Sequence, residues 1–110
     1  MSYKVIATEP FARKLKRLSK KHNSLLEDLL KLVKELEENP FLGISLGNNC
    51  YKIRLSISSK NKGKSGGGRV ITFVKTKNEI IYLLDIFDKS EQANISSQEL
   101  KLLIEIFAEV

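Results

Sequence analysis

The spacing of apolar residues changes along this chain, and that change constrains its fold more than any other feature. Through residues 11–36 the apolar residues recur every three or four positions, which is the spacing of helices that bury one face. Through residues 51–57 they alternate with polar residues, as in a strand with one buried face. Helices grouped ahead of strands predict an α+β domain rather than alternating strand–helix units.

The N-terminal part of the chain predicts a short strand followed by a hairpin of two helices. Tyr3 to Ala7 has the composition of a strand, and Thr8 is suited to cap the helix that follows. Ser24 and Glu27 have the spacing of a capping box at the start of the second helix. Asn39-Pro40 ends that helix, and the short link between the helices predicts that they pack antiparallel.

The C-terminal part predicts three meandering strands and a last helix. Ser96 and Glu99 repeat the capping-box spacing ahead of that helix, and its apolar stripe is formed by Leu100, Leu103, Ile104 and Phe107. The resulting order is strand, two helices, three strands and helix. We therefore expect one domain over residues 1–110, with an antiparallel sheet packed against the N-terminal helical hairpin and a C-terminal helix. The predicted strands are Tyr51–Ile57, Arg69–Lys75 and Glu79–Phe87, with turn-rich or glycine-rich connections at Gly43–Asn49 and Ser58–Gly68.

Positive charge is concentrated in two segments of the chain, whose net charge is +6. From Tyr51 to Lys77 there are eight basic residues and no acidic one, and from Arg13 to Lys21 there are six basic residues. An ordinary solvated surface mixes acids with its lysines, so this segregation favours a polyanion partner, most often nucleic acid. No apolar run approaches the length of a membrane span and no signal peptide opens the chain, which predicts a cytoplasmic protein.

The remaining reactive residue types predict structural roles. Cys50 is the one cysteine, and we interpret it as a buried, inert thiol in a reducing compartment. His22 is the one histidine and lies in a polar turn, which predicts an exposed loop residue and no metal site. Asp85 and Asp88 are interpreted as structural hydrogen-bonding groups. We therefore expect neither a metal nor a cofactor.

A set of basic residues remains as the candidate site. Lys52 and Arg54 share one face of the first long strand. Lys64 lies in the glycine-rich loop, and Arg69 begins the next strand. The loop glycines leave room for a phosphate backbone to approach main-chain amides. These residues alone predict an α+β domain that binds RNA or DNA.

Three segments of the chain together have the pattern of a known protein family. Leu46-Gly47 precedes the strand Tyr51-Lys52-Ile53-Arg54, and the segment Gly63-Lys64-Ser65-Gly66-Gly67-Gly68-Arg69-Val70-Ile71 follows it. Phe87-Asp88-Lys89-Ser90-Glu91 comes after the last strand. These segments resemble the RelE/ParE toxin superfamily on its RelE/HigB branch, and the glycine–arginine segment is the most specific of them. The resemblance covers nearly the whole chain.

The resemblance implies a toxin of a type II toxin–antitoxin system that cleaves messenger RNA at the ribosome. In that family the ribose 2′-OH attacks the adjacent phosphate without a metal, giving a cyclic phosphate and a free 5′-OH. Crowded lysines and arginines perform this chemistry, since positive neighbours favour the neutral, proton-accepting form of a lysine. The implied partners are a cognate antitoxin, the ribosome and mRNA.

The resemblance also implies roles for individual residues. Lys52 and Arg54 would contact the scissile region, and Arg69 would stabilise the negative charge that develops on the phosphate. Lys64 and Lys89 would contact the backbone or transfer a proton. The expected catalytic residues are therefore Lys52, Arg54, Lys64 and Arg69, and the expected RNA-binding residues are Lys60, Lys62, Lys89, Phe87, Arg13 and Arg17.

One departure and two alternatives accompany the resemblance. Members of the family often carry a tyrosine near the end of the last strand, where this chain has Phe87, which can stack on a base but cannot transfer a proton. The general base is therefore not identified. The first alternative is a ParE-like toxin that inhibits DNA gyrase and has no nuclease chemistry. The second is a non-enzymatic RNA-binding module in which the same charges only hold phosphates.

Overall fold

The fold places a helical hairpin on one face of a sheet and a last helix on the other. A computed structural model describes residues 2–60 and 67–107. The helices are α1 (Glu9–Lys21), α2 (Leu25–Glu38) and α3 (Ser97–Phe107), and the strands are β1 (Lys4–Ala7), β2 (Ile44–Gly47), β3 (Cys50–Leu55), β4 (Gly68–Lys75) and β5 (Ile80–Asp88). A short 3₁₀ turn at Ser58–Lys60 follows β3. No helix in the described part of the chain is long and apolar enough to cross a membrane.

The five strands form a mixed sheet in the order β1-β5-β4-β3-β2. The predicted α+β class and element order are confirmed, but the sheet is not wholly antiparallel, because β1 lies parallel to β5. A parallel pair requires a long crossover connection, and here the connection contains the helical hairpin and the three other strands. Sequence periodicity does not report strand direction, so this pairing was not predictable from it.

Strand β2 was also not predicted, because its sequence was interpreted as part of a turn-rich connection. It is a four-residue edge strand whose side chains are largely exposed, so it shows no alternation of apolar and polar residues. Asn48 and Asn49 join it to β3 with φ angles of 53° and 63°. Two consecutive residues of positive φ form the tight hairpin turn that matches strand twist. This turn pairs Gly47 with Cys50, and an irregularity between Ser45 and Gly47 then shifts the register so that Ile44 faces Lys52.

The first core lies between the helical hairpin and the sheet. Each helix contributes the apolar stripe that its spacing predicted: Phe11 and Leu18 on α1 are 0% and 2% exposed, and Leu25 and Leu36 on α2 are both 0% exposed. Burying one such side chain stabilises a fold by about 1.5–3 kcal/mol, so this face supplies much of the driving force for folding. From the sheet, the core receives Ile53, Leu55, Val70, Val74, Ile81, Leu83 and Ile86.

The second core lies under α3 on the opposite face of the sheet. Ile71, Leu84 and Phe87 are buried there, and the predicted apolar stripe of α3 packs on them. None of the described residues of α3 is fully buried, whereas α1 and α2 contain seven that are. The last helix therefore covers its face of the sheet less tightly than the hairpin covers the other.

Two of the three predicted helix caps are present. Thr8 Oγ1 accepts a hydrogen bond from the Phe11 amide at 3.4 Å, and Ser96 Oγ accepts one from the Glu99 amide at 3.1 Å. The capping box predicted at Ser24 and Glu27 is wrong, since the Ser24 side chain caps no amide of α2. Its hydroxyl instead donates to the Asp28 carboxylate at 2.8 Å. A buried carboxylate one turn away competes successfully for the hydroxyl.

Candidate functional site

The register of β3 and β4 brings two of the predicted site residues directly opposite each other. Arg54 faces Arg69 across the two strands, and Lys52 lies two residues earlier on the same side of β3. Like charges placed opposite each other on neighbouring strands destabilise a sheet. Such a pair is therefore expected where a site has been selected to hold an anion.

A small cavity forms where these side chains converge. Its volume is about 130 Å³. No carboxylate is found among its described lining residues, so the cavity has a strongly positive potential. Four of the predicted site residues meet in it, together with two small or apolar residues: Lys52, Arg54, Arg69, Lys89, Ile44 and Ala93.

Arg69 is the most deeply placed of the four cationic residues, with 4% of the residue exposed. Its Nη1 donates to the carbonyl oxygen of Gly68 at 2.9 Å, which holds the guanidinium in place. Burial, followed by the nearby charge of Arg54, lowers the pKa of Arg69 below its ordinary value. The guanidinium nevertheless remains protonated at neutral pH, as arginine does throughout proteins. It is a fixed, desolvated positive charge at the floor of the cavity.

The two lysines of the cavity are held less firmly. Lys52 is half-buried, and its Nζ lies 3.5 Å from Asn94 Oδ1, the limit of hydrogen-bond distance. Lys89 is exposed and follows the end of β5, where its backbone amide donates to the Gly67 carbonyl at 3.1 Å. The ammonium groups can therefore adjust to a ligand, whereas the Arg69 guanidinium cannot.

The glycines before Arg69 have a packing role. A Cβ on Gly67 would collide with the carbonyl oxygen of Leu55, and one on Gly68 would lie 3.3 Å from the carbonyl oxygen of Phe87. Glycine is required here because three backbone segments approach closely, which is a different reason from the predicted access for phosphate.

Three predicted site residues cannot be placed. Lys62 and Lys64 lie outside the described residues, and of Lys60 only the backbone is described.

Phe87 was expected to stack on a base, but the structure gives it a core position. It lies opposite Arg69 on β5, is 2% exposed, and packs against Ile95 in the second core. A base cannot reach a ring that is buried in this way. The sequence could not signal this, because the burial depends on the segment after β5 folding back over the sheet.

Arg13 and Arg17 were expected to bind RNA, but they lie on α1 outside the cavity and are paired with acids. Arg13 Nη2 lies 3.1 Å from Glu9 Oε1, and Arg17 Nη1 lies 3.6 Å from Glu91 Oε1. Lys21 also contacts the Glu91 carboxylate. The hydrogen bond from Lys21, with the charges of Lys21 and Arg17, lowers the pKa of Glu91.

His22 lies in the link between α1 and α2, as predicted, but the prediction that it is exposed is wrong. Its side chain is only 14% exposed, and its Nε2 lies 3.0 Å from Asp88 Oδ2 and donates to it. The other carboxylate oxygen of Asp88 accepts from the amide and hydroxyl of Ser90. The structural hydrogen-bonding role predicted for Asp88 is therefore confirmed. The two residues are far apart in sequence, so no local pattern could reveal the contact.

Asp85 has the structural role that was predicted for it. It is 3% exposed, its Oδ1 lies 2.7 Å from Lys14 Nζ, and the same oxygen accepts from the Ile86 amide at 2.9 Å. This ion pair joins α1 to the middle of β5. Within the described part of the chain, no group of histidine, cysteine and acidic residues is arranged to hold a metal ion.

Asp28 forms a polar network that the sequence did not reveal. Its buried carboxylate accepts hydrogen bonds from the Ser58 amide at 2.9 Å, the Ser58 hydroxyl at 2.7 Å and the Ser24 hydroxyl at 2.8 Å. Burial alone would raise the pKa of Asp28, but the hydrogen bonds from Ser58 and Ser24, with the charge of Lys31, lower it overall. The network ties the turn after β3 to the start of α2.

The fold and the cavity define a class of protein: a small basic α+β domain with a preformed cavity lined by cationic side chains. A family model described as the RelE toxin of the RelE/RelB toxin–antitoxin system matches residues 4–110. The chain therefore belongs to the RelE toxin family, and its resemblance to the RelE/ParE superfamily is confirmed.

Solved structures of that family share the fold. A mutant of E. coli toxin RelE in the free state is 19% identical, with a TM-score of 0.65 over 97% of this chain and 99% of that chain. The toxin of the intact E. coli RelBE toxin–antitoxin complex is 21% identical, with a TM-score of 0.61 over 79% and 96%. An archaeal RelE–RelB complex from Pyrococcus horikoshii OT3 gives 21% identity and a TM-score of 0.55 over 81% and 97%.

Proposed function

We propose that this protein is the toxin of a type II toxin–antitoxin system and acts as a metal-independent endoribonuclease on mRNA at the ribosome. The observation that carries the proposal is the convergence of Lys52, Arg54, Arg69 and Lys89 on one cavity without a lining carboxylate among the described residues. A cavity of this charge binds phosphate, and its place in a RelE-family fold favours the phosphate of an RNA strand.

In this proposal the two arginines, Arg54 and Arg69, form the binding site for the scissile phosphate. Attack of the 2′-OH on phosphorus forms one P–O bond and breaks the bond to the 5′-oxygen, passing through a phosphorane with extra negative charge. Arg69 is buried and fixed, so it can stabilise that charge without reorganising during the reaction. Arg54 faces it and contributes a second guanidinium to the non-bridging oxygens.

Two protons must move as the bonds change. The attacking 2′-OH loses a proton, and the leaving 5′-oxygen gains one. Arginine stays protonated in proteins, and neither a carboxylate nor an imidazole lines the described part of the cavity, so Lys52 and Lys89 are its proton-transfer candidates. Lys64 remains a third candidate on the family resemblance. This assignment needs no aromatic hydroxyl in the place of Phe87.

A cognate antitoxin is the proposed protein partner. Among the similar structures are toxins solved in complex with RelB antitoxin. A cationic cavity that cleaves mRNA must be blocked in a growing cell, and a polypeptide with acidic side chains can block it by charge complementarity. Ribosomes and mRNA are the other proposed partners, which places the activity in the cytoplasm.

The proposal is tested by controlled expression in a bacterium with mapping of mRNA 5′ ends. Wild type is compared with Arg69→Ala, with Arg69→Lys, and with Lys16→Ala as a matched control for loss of one exposed cation on α1. Circular dichroism of the purified variants checks that each is folded. We expect wild type and Lys16→Ala to arrest growth with new in-frame 5′ ends. Loss of a preorganised charge contact lowers a reaction rate on the order of 100- to 1000-fold. Arg69→Ala should therefore neither arrest growth nor produce new 5′ ends.

Other outcomes would redirect the interpretation. Growth arrest without new 5′ ends would favour a gyrase-inhibiting toxin. Normal growth with wild type would overturn the toxin proposal and leave a basic RNA-binding module. A folded Arg69→Ala variant that still cleaves would contradict the role of Arg69.

A further inference from the structure

Ile44 is an exposed apolar residue in the wall of the cationic cavity. It is 63% exposed, and it lies on β2 directly opposite Lys52. Single exposed apolar residues are common on protein surfaces and need no explanation by themselves. The position of Ile44 distinguishes it, because other exposed apolar residues, such as Leu30 on α2, do not line this cavity.

The local backbone holds Ile44 at a fixed position on the edge of the sheet. Gly43 has a φ of 97°, and a Cβ there would collide with the Lys52 carbonyl oxygen and lie 2.8 Å from Ile53 Cγ1. The chain can press against β3 at this point only because residue 43 is glycine. The tight turn at Asn48–Asn49 fixes the other end of β2. The β-branched side chain of Ile44 also has few rotamers to lose when a ligand covers it.

The cavity thus has two chemically different parts. Arg54 and Arg69 form a charged part that suits a phosphate, whereas Ile44 forms an apolar part at the β2 edge. A nucleotide has the same two parts, an anionic phosphate and a flat base whose faces are apolar. Because Phe87 is buried, Ile44 is the large apolar side chain that the described lining offers to a base.

We propose that Ile44 forms one wall of a nucleobase subsite beside the phosphate-binding site of Arg54 and Arg69. Its ligand is an unpaired base of a single-stranded RNA, and in that choice of ligand the proposal rests on the proposed function. Bases of unpaired RNA are free to splay out and pack against side chains. Ile44 offers no hydrogen bond, so the subsite accepts every base and holds purines more tightly, since their faces cover more of the side chain.

The test compares binding to two RNA strands that carry the same phosphates. One is a short oligoribonucleotide with a purine at every position, and the other has abasic nucleotides at its central positions. Fluorescence anisotropy gives the Kd of the full chain for each strand. The proteins are wild type, Ile44→Ala, Ile44→Phe, and Leu30→Ala as a control for loss of an equally exposed apolar side chain.

We expect Ile44→Ala to bind the purine strand about fivefold more weakly than wild type, which corresponds to about 1 kcal/mol. Binding of the abasic strand should change less than twofold, because the phosphate contacts remain. Ile44→Phe should restore or exceed wild-type binding of the purine strand, since an aromatic ring packs better on a base. Leu30→Ala should match wild type on both strands.

Three outcomes would overturn the subsite. These are equal loss on both strands in Ile44→Ala, no preference of wild type for the purine strand, and no binding of either strand. If Ile44→Ala instead loses only its affinity for a protein antitoxin, Ile44 belongs to a protein interface. Failure of the enzyme proposal is seen separately, as missing mRNA cleavage by wild type while base-dependent binding persists.

Discussion

Two regions of this protein are rich in basic residues but differ in what their charges contact. On α1, Arg13 is paired with Glu9, Lys14 with Asp85, and both Arg17 and Lys21 with Glu91. The cavity between β2, β3, β4 and the turn after β5 contains four cationic residues and no carboxylate among its described lining residues.

The comparison shows that the number of charges in a segment does not determine the field it presents. The acids that pair with α1 come mostly from β5 and the turn after it, far away in sequence, and they tie the helix to the sheet. In the cavity, sheet register brings cations together with one another. The first arrangement serves the fold, and the second is suited to a polyanion.

The most direct way to remove this difference between the two regions is to introduce a carboxylate into the cavity. Ala93 is exposed and lines the cavity, so Ala93→Glu places a carboxylate among the four cations. The carboxylate should pair with the cavity cations and repel a phosphate, lowering the cleavage rate on the order of 100-fold. Cleavage of a reporter mRNA during translation in vitro measures this effect.

The matched control is Ala93→Gln, which has nearly the same size without the charge and should cleave within about threefold of wild type. The same paired carboxylate should raise the unfolding midpoint of Ala93→Glu in urea. If Ala93→Glu cleaves as fast as wild type, phosphate does not bind in this cavity.

A second change removes one partner from the paired region. Lys14→Met leaves the Asp85 carboxylate buried without its cation. Breaking a fully buried pair in this way costs about 3–5 kcal/mol, and because Lys14 is one-third exposed we expect about 2 kcal/mol. Urea unfolding measures the loss, with Lys16→Met as the control on the same helix. Cleavage per folded molecule should be unchanged, and a large loss of cleavage would mean that α1 contributes to the site.

The third change concerns Asp28, which lines a second groove, between α2 and the end of β3, together with Arg54. The Asp28 carboxylate oxygens nevertheless accept hydrogen bonds from serines. The folded-state pKa of Asp28 lies below its ordinary value near 3.8, so the carboxylate stabilises the fold above that value. The stabilisation is lost as the pH falls through the folded-state pKa. Asp28→Asn should therefore be about 1–2 kcal/mol less stable than wild type near neutral pH.

Urea unfolding from about pH 7 down to about pH 3 tests the direction in which the stabilisation by Asp28 changes with pH. The difference in free energy of unfolding between wild type and Asp28→Asn should shrink as the pH falls below about 4. A difference that is constant across this range would mean that the charge of Asp28 contributes nothing, and that only its shape and hydrogen bonds matter.

Local patterns in the sequence predicted those parts of the fold that depend on local spacing. The stripes of α1 and α2, the caps at Thr8 and Ser96, and the strands β3, β4 and β5 all follow from apolar spacing or capping chemistry. Four expected site residues meet in one cavity because Lys52 and Arg54 lie on β3, Arg69 lies on the adjacent β4, and Lys89 follows β5.

The features that were missed all depend on contacts between distant segments. Strand β2, which begins with Ile44, shows no alternation of apolar and polar residues, because an edge strand with exposed side chains has no buried face. The His22–Asp88 contact, the use of Ser24 by Asp28, and the burial of Phe87 each require knowledge of which segments meet. In each case a tertiary partner outweighed the local preference.

The pairing of Arg54 with Arg69 has a thermodynamic consequence for the molecule as a whole. Two guanidiniums held opposite each other lower the stability of the ligand-free fold, and a bound polyanion relieves that repulsion. By linkage, whatever binds the site also raises the melting temperature, whether it is a nucleic acid or an inhibitory polypeptide. Substitutions that remove one of these charges would relieve the repulsion, and they would make the protein more stable but less active. This is a trade-off between stability and activity. The molecule is thus at its least stable when it is free to act.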